Sequence, residues 1–78
     1  MATEIRADKG QVVEFAAGNG ELVRPGTVLY YDPDDESAKG EASATGILRW
    51  GINSGDSVSA GDVIGTIEPV GEGEEEEG

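Results

Sequence analysis

The segment Asp32–Glu41, with the sequence DPDDESAKGE, contains the residue with the clearest chemical potential in this chain. It includes Lys39, which is one of only two lysines in the sequence, together with five acidic residues. An exposed lysine can be modified covalently, or it can remain a simple charge that offsets neighbouring carboxylates. The sequence therefore leaves two alternatives for Lys39, a site of modification or an unmodified surface charge.

The other residue types give little support for catalysis or metal binding. The chain has no cysteine and no histidine, which excludes thiolate zinc sites, cysteine nucleophiles and histidine acid–base catalysis. Asp32, Asp34 and Glu36 alternate as calcium ligands do, but a calcium loop beginning at Asp32 would lack the glycine at its sixth position and the glutamate at its twelfth. We therefore expect a protein that is not an enzyme and that holds no metal.

Charge is the strongest feature of the composition. Among 78 residues, 17 are acidic and five are basic, for a net charge of −12. Such a chain repels nucleic acids and anionic membranes, so we expect neither as a partner. Acids spread along the whole chain are typical of halophilic proteins, and we favour this interpretation over mimicry of a nucleic acid. No signal peptide or membrane span is visible, which predicts a cytoplasmic protein, and salt should stabilise it by screening self-repulsion.

A repeat with an offset of 35 residues organises the chain. Its aligned pairs are Val12–Phe15 with Ile47–Trp50, Gly20 with Gly55, Val23 with Val58, Gly26 with Gly61, and Val28-Leu29 with Val63-Ile64. Short β-rich runs separated by glycine turns predict strands, and Gly26 and Gly61 should both have positive φ. We expect an all-β domain in which residues 12–31 and 47–66 form two equivalent halves around a pseudo-twofold axis.

Two half-motifs joined by a hairpin that contains a lysine resemble the biotinyl/lipoyl attachment domain family. The segment ATGILRWGINSGDSVSAGDVIGTIE, from Ala44 to Glu68, is similar to the C-terminal half of these domains. The segment GQVVEFAAGNGELVRPGTVL, from Gly10 to Leu29, is similar to the N-terminal half. The resemblance implies a barrel-sandwich hybrid of two four-stranded sheets. We expect residues 1–69 to form this domain and residues 70–78, a run of like charge, to form a disordered acidic tail.

The function implied by the resemblance is that of a carrier. In the family, a lysine at the hairpin tip takes lipoate or biotin through an amide bond and swings it between partner enzymes, as in multienzyme or carboxylase systems. Lys39 is the candidate attachment residue. The order Glu36-Ser37-Ala38-Lys39 resembles the lipoyl pattern and has no flanking methionine as biotinyl domains do, which favours lipoate over biotin. The alternative is an unmodified family member without a cofactor that acts as an interaction or scaffold module.

Spacing separates these alternatives, because attachment enzymes of the family read a lysine at the turn. Lys39 lies 13 residues after Gly26 and seven before Gly46, so it is displaced from the midpoint of this interval. A turn at Ala38–Gly40 would favour a carrier. A turn at Asp35-Glu36 would instead place Lys39 on the descending strand beside the acids, and we expect this second geometry.

Overall fold

The structure is a computed structural model, and it describes residues 2–70. Strands alternate with short turns along this part of the chain, as the glycine-punctuated sequence predicts. The strands are β1 (Thr3–Arg6), β2 (Gln11–Phe15), β3 (Leu22–Val23), β4 (Val28–Asp32), β5 (Asp35–Glu41), β6 (Gly46–Trp50), β7 (Asp56–Val58) and β8 (Val63–Glu68). Across residues 2–70, no helix is long and apolar enough to cross a membrane. The acidic tail expected at residues 70–78 lies outside the described residues, except for Val70.

The strands form two four-stranded sheets, and this confirms the predicted all-β class. The first, called sheet I, has the strand order β1-β8-β6-β3, and the second, called sheet II, has the order β5-β4-β2-β7. Every pairing is antiparallel. Each sheet therefore combines strands from both halves of the chain.

The strand order has the twofold relation that the repeat predicts. The offset of 35 residues carries β2 onto β6, β3 onto β7, β4 onto β8, and β1 onto the last four residues of β5. Exchanging these strands converts the order of sheet I into the order of sheet II. The two halves thus interlock, and each supplies strands to both sheets.

The turns and loops repeat the same hydrogen bonds in both halves. The Gly20 amide donates to the Leu48 carbonyl, and its equivalent, the Gly55 amide, donates to the Val13 carbonyl, both at 2.7 Å. Side-chain bonds also recur, since the Trp50 amide donates to Asn19 Oδ1 (2.8 Å). In the other half, the Phe15 amide donates to Ser54 Oγ (3.1 Å). The repeat in sequence is therefore also a repeat in hydrogen bonding.

Glycine is required where these turns reverse the chain. The expected positive φ is confirmed at Gly26 (93°) and Gly61 (86°), and the aligned pair Gly20 and Gly55 has values of 85° and 95°. These angles lie in the left-handed region, which other residues enter only at a steric cost.

The core lies between the sheets and is itself nearly symmetric. Val13 and its equivalent Leu48 are completely buried, as are Leu29 and its equivalent Ile64 to within 1%. Phe15 and Trp50, which also occupy equivalent positions, stack with their ring centroids 4.1 Å apart and pack against this core. The aromatic residues at equivalent positions of the two halves thus form one packed pair.

Candidate functional site

The hairpin that contains Lys39 reverses direction earlier than expected. β4 and β5 are joined by a two-residue turn at Pro33-Asp34, and Asp32 lies opposite Asp35. The predicted turn at Asp35-Glu36 is therefore wrong. Proline suits this position because its fixed φ favours a turn and it needs no partner for an amide hydrogen. The Asp32 carboxylate also accepts a hydrogen bond from the Asp34 amide (2.9 Å), which closes the turn locally.

Because the turn comes early, β5 has three more residues than β4 between the turn and the next paired position. These extra residues form a bulge in β5. Pairing between the strands resumes with Tyr31 opposite Lys39, so residues 36–38 have no direct partner in β4. Side chains hold this bulge instead. Asp35 Oδ1 accepts hydrogen bonds from the Ser37 amide (3.1 Å) and hydroxyl (2.7 Å), and Gln11 Nε2 donates to the Ala38 carbonyl (2.9 Å). The bulge is thus a built feature of the hairpin rather than a frayed end.

The structure places Lys39 on the descending strand, away from the tip. Its side chain is exposed, and within residues 2–70 it forms no ion pair shorter than 4.0 Å. The position on the descending strand agrees with the geometry that we expected. Modification of Lys39 by lipoate or biotin stays a prediction, because position alone does not report it.

Lys9 is a contributor to the hairpin that the sequence did not reveal. Its ammonium lies 3.0 Å from Asp35 Oδ2, so the connection between β1 and β2 is tied to the base of the turn. The hydrogen bond from the Ser37 hydroxyl, together with that from Lys9, lowers the pKa of Asp35 to about 2. A contact between residues 26 positions apart leaves no local signal in the sequence.

The outer face of sheet II carries Lys39 in a row of three directly opposed residues. Lys39 faces Tyr31 on the adjacent strand, and Tyr31 in turn faces Glu14 on β2. Directly opposed residues project from the same side of a sheet. Tyr31 is 42% exposed, whereas its neighbour Tyr30 is buried in the core, as expected for consecutive residues of one strand. We call Lys39, Tyr31 and Glu14 the sheet II row.

The equivalent row on sheet I has its charges reversed. There Glu4 faces Thr66, which faces Arg49. The offset of 35 residues relates Glu4 to Lys39 and Glu14 to Arg49. The charged residues of sheet I are paired with neighbours, Glu4 with Arg6 (2.6 Å) and Arg49 with Glu68 (3.5 Å). The exposed aromatic ring and an ammonium without an ion pair among residues 2–70 distinguish the sheet II row.

The described residues offer a surface rather than a cavity. No pocket is detected in the structure of residues 2–70, and no group of three or more acidic side chains there is arranged to hold a metal ion. The exposed hairpin and the sheet II row are therefore the features available for recognition. They belong to a small all-β domain of two interlocked antiparallel sheets. Comparison with protein-family models, with curated proteins and with solved structures finds no match.

Proposed function

We propose that this chain is an unmodified domain of the biotinyl/lipoyl type, with the barrel-sandwich hybrid architecture, that acts as a non-catalytic interaction module. Two interlocked four-stranded sheets with a twofold strand order support the architecture. The connecting hairpin between the halves is where a carrier of this type would present its lysine.

The observation that carries the proposal is the position of the turn. Pro33 and Asp34 occupy the tip, and Lys39 lies four residues beyond Asp35, within the paired part of β5. An attachment enzyme that reads a lysine at the turn would meet a proline and acidic residues instead. The surrounding carboxylates of Asp34, Asp35 and Glu36 also give the tip a negative charge, which suits recognition of a basic partner surface.

The interaction surface proposed for this module is the sheet II row. Tyr31 is exposed in the middle of a face, and a tyrosine there can bury a large apolar area while its hydroxyl remains hydrogen-bonded. Lys39 and Glu14 flank it with opposite charges, which would orient a partner protein rather than supply most of its affinity. In this arrangement Lys39 acts as a charged contact and not as an attachment point.

A second candidate function is carriage of a lipoyl or biotinyl group on Lys39. One observation favours it: the ammonium is exposed and forms no ion pair among residues 2–70, as a swinging arm requires. In this case the partners would be the enzymes of a multienzyme or carboxylase system. The two candidate functions differ in whether Lys39 is covalently modified.

Intact-mass measurement of protein purified from its own host, grown with lipoate and biotin, separates the two. The interaction proposal expects the unmodified mass. A lipoyl- or biotin-sized increment that disappears in Lys39→Arg would instead establish the carrier. A matched variant, Asp34→Lys combined with Lys39→Arg, moves the lysine to the turn. If it alone gains a cofactor, the scaffold is suited to attachment and only the lysine is misplaced.

Site-specific photo-crosslinking tests recognition by the sheet II row. The crosslinker is placed at Ser57, which lies on the same sheet, and the experiment is done in cells at their native salt concentration. A specific cross-linked product should form, and it should be lost when Tyr31→Ser is introduced into the same protein. The matched control is Val63→Ser, which removes a side chain of similar exposure (44%) on sheet I. Equal loss in both variants, or no loss in either, would contradict the assignment of this row.

A further inference from the structure

Most strand pairings in this fold join the first half of the chain, β1–β4, to the second half, β5–β8. Four pairings cross between the halves, namely β1 with β8, β2 with β7, β3 with β6, and β4 with β5. Within a half, β2 pairs with β4 and β6 pairs with β8. Neither half can therefore complete a four-stranded sheet alone, and each needs the other as its partner.

Hydrogen bonds of the segments between the strands also join the two halves. The Ala7 amide donates to the Asp62 carbonyl (3.0 Å), and the Ala42 amide donates to the Thr27 carbonyl (2.8 Å). The stacked rings of Phe15 and Trp50 come from different halves as well. A second copy of the chain carries identical groups, and its second half could supply every one of these contacts to the first half of another copy.

The only covalent link between the halves is the turn at Pro33-Asp34. It is short, and Asp32 and Asp35 lie directly opposite each other across it. Asp35 is ion-paired with Lys9, but Asp32 has no ion pair among residues 2–70, and like charges in directly opposed positions weaken a strand pair. The register also breaks beside the turn, where the bulge of residues 36–38 begins. Short hinge loops favour exchange of elements between copies, and proline is tolerated in an extended chain as well as in a turn.

We propose that this chain exchanges halves with a second copy. In the resulting dimer, β5–β8 of each copy complete both sheets of the other, and residues 33–34 become an extended hinge between them. The exchanged dimer keeps all pairings of the monomer except those at the hinge. Such exchange is a low-cost route to a dimer because it needs no new interface. It would also place two sheet II rows on one assembly, which gives an interaction module two linked binding surfaces.

Charge determines when the exchanged form is populated. The monomer carries a net charge of −12, so association brings two strongly acidic chains together. Salt screens this repulsion, with a range of about 10 Å at 0.1 M and about 3 Å at 1 M. The dimer should therefore form on refolding at high protein concentration in molar salt. It should diminish at low salt and in dilute solution, where closure within one chain is favoured.

The first test refolds the full chain from denaturant, as a mixture of isotope-labelled and unlabelled protein in molar salt, followed by light scattering and native mass spectrometry. Half-exchange predicts a dimer that contains mixed-label species when the copies are refolded together. It also predicts that preformed labelled and unlabelled dimers do not mix unless they are unfolded. Dimers that mix rapidly without unfolding associate through their surfaces, and that result would overturn the proposal.

The second test alters the hinge. Deleting residues 33–38 joins Asp32 directly to Lys39, so a single residue would have to reverse the chain between Tyr31 and Lys39, which lie opposite each other, and this is too short for a hairpin loop. This variant should be dimeric at every concentration at which it is folded. The matched control inserts four glycines between Asp34 and Asp35, which should make the chain monomeric throughout. A folded, monomeric deletion variant, or a wild-type chain that refolds only to monomer at millimolar concentration and molar salt, would contradict the proposal.

Discussion

The two halves of this molecule share a hydrogen-bonding plan but fill one pair of equivalent positions in opposite ways. In sheet I, Ile5 lies opposite Gly65, and in sheet II the equivalent pair is Gly40 opposite Tyr30. Each pair therefore combines one glycine with one large side chain, and the repeat position that is glycine in one sheet holds the large side chain in the other. A Cβ on Gly40 would overlap the Tyr30 ring. The backbone repeats, whereas the side chains complement one another, so the second half cannot simply replace the first.

The ends of the halves differ more. β4 and β5 are closed into a hairpin by Pro33-Asp34, while the equivalent strands β8 and β1 are joined only by hydrogen bonds, because they approach opposite ends of the chain. The closed end carries the bulge, the Lys9–Asp35 ion pair and Lys39. The core thus follows the internal symmetry, and the features available for recognition gather where that symmetry is broken.

The largest effects should come from the symmetric core. Leu29→Ala and Ile64→Ala remove equivalent side chains that are 1% and 0% exposed. Each should lower the free energy of unfolding by about 2–5 kcal/mol, through lost burial and the cavity that remains. Chemical denaturation in molar salt measures both. Val63→Ala, on an exposed neighbour of Ile64, is the control and should change little. A large loss at one position and almost none at the other would show that the halves are not equivalent.

A second prediction concerns the complementary pair in sheet II. Gly40→Ala should lower the free energy of unfolding by about 1–3 kcal/mol, because the added methyl group meets the buried Tyr30 ring. Combining it with Tyr30→Ala removes the overlap, so the double variant should be more stable than the sum of the two single effects predicts, by about 0.5–3 kcal/mol. Gly51→Ala is the control, since a Cβ there would meet nothing closer than 3.6 Å. Strict additivity would rule out this account of the pair.

The parts that sequence predicted well depend on local signals repeated twice. Gly26 and Gly61 were expected to have positive φ because a turn of this type requires it at its third residue, and both do. The offset of 35 residues then related the halves without any knowledge of their contacts. The repeat could not locate the hairpin turn, because the offset aligns residues 33–37 with two separate segments, 68–70 and 1–2, which are not joined into a turn.

The base of the hairpin is held by contacts between residues that are distant in the chain. Such contacts leave no local pattern, so the sequence did not predict where the hairpin turns. Gln11 reaches the Ala38 carbonyl, and Lys9 reaches Asp35, from positions that are distant in the chain. Both contacts stabilise the bulge in β5, and with this bulge the turn lies at Pro33-Asp34, two residues earlier in the sequence than predicted. Lys39 was nevertheless placed on the descending strand, since its displacement towards Gly46 was visible in the spacing.

A smaller effect is expected at the asymmetric end, where Asp35 titrates. Because its pKa in the folded protein is about 2, below the ordinary value of 3.8, its contribution to stability is fully present above about pH 4 and is lost as the pH falls through about 2. Lys9→Gln should raise this pKa, as measured by NMR titration of the Asp35 carboxyl carbon. Lys39→Gln is the matched control and should leave it unchanged. Equal shifts in both variants would mean that general charge, and not the ion pair, sets the value.

The measurement that tests the central claim most directly is the intact mass of the protein from its own host, grown with lipoate and biotin. The claim is that the hairpin presents Pro33-Asp34 at its tip and leaves Lys39 on the strand as an unmodified charge. The expected result is the mass calculated for the unmodified polypeptide. The Lys39→Arg variant should likewise have the mass calculated for its own unmodified chain. A lipoyl- or biotin-sized increment on the wild-type chain, absent from Lys39→Arg, would contradict the claim and identify a working carrier.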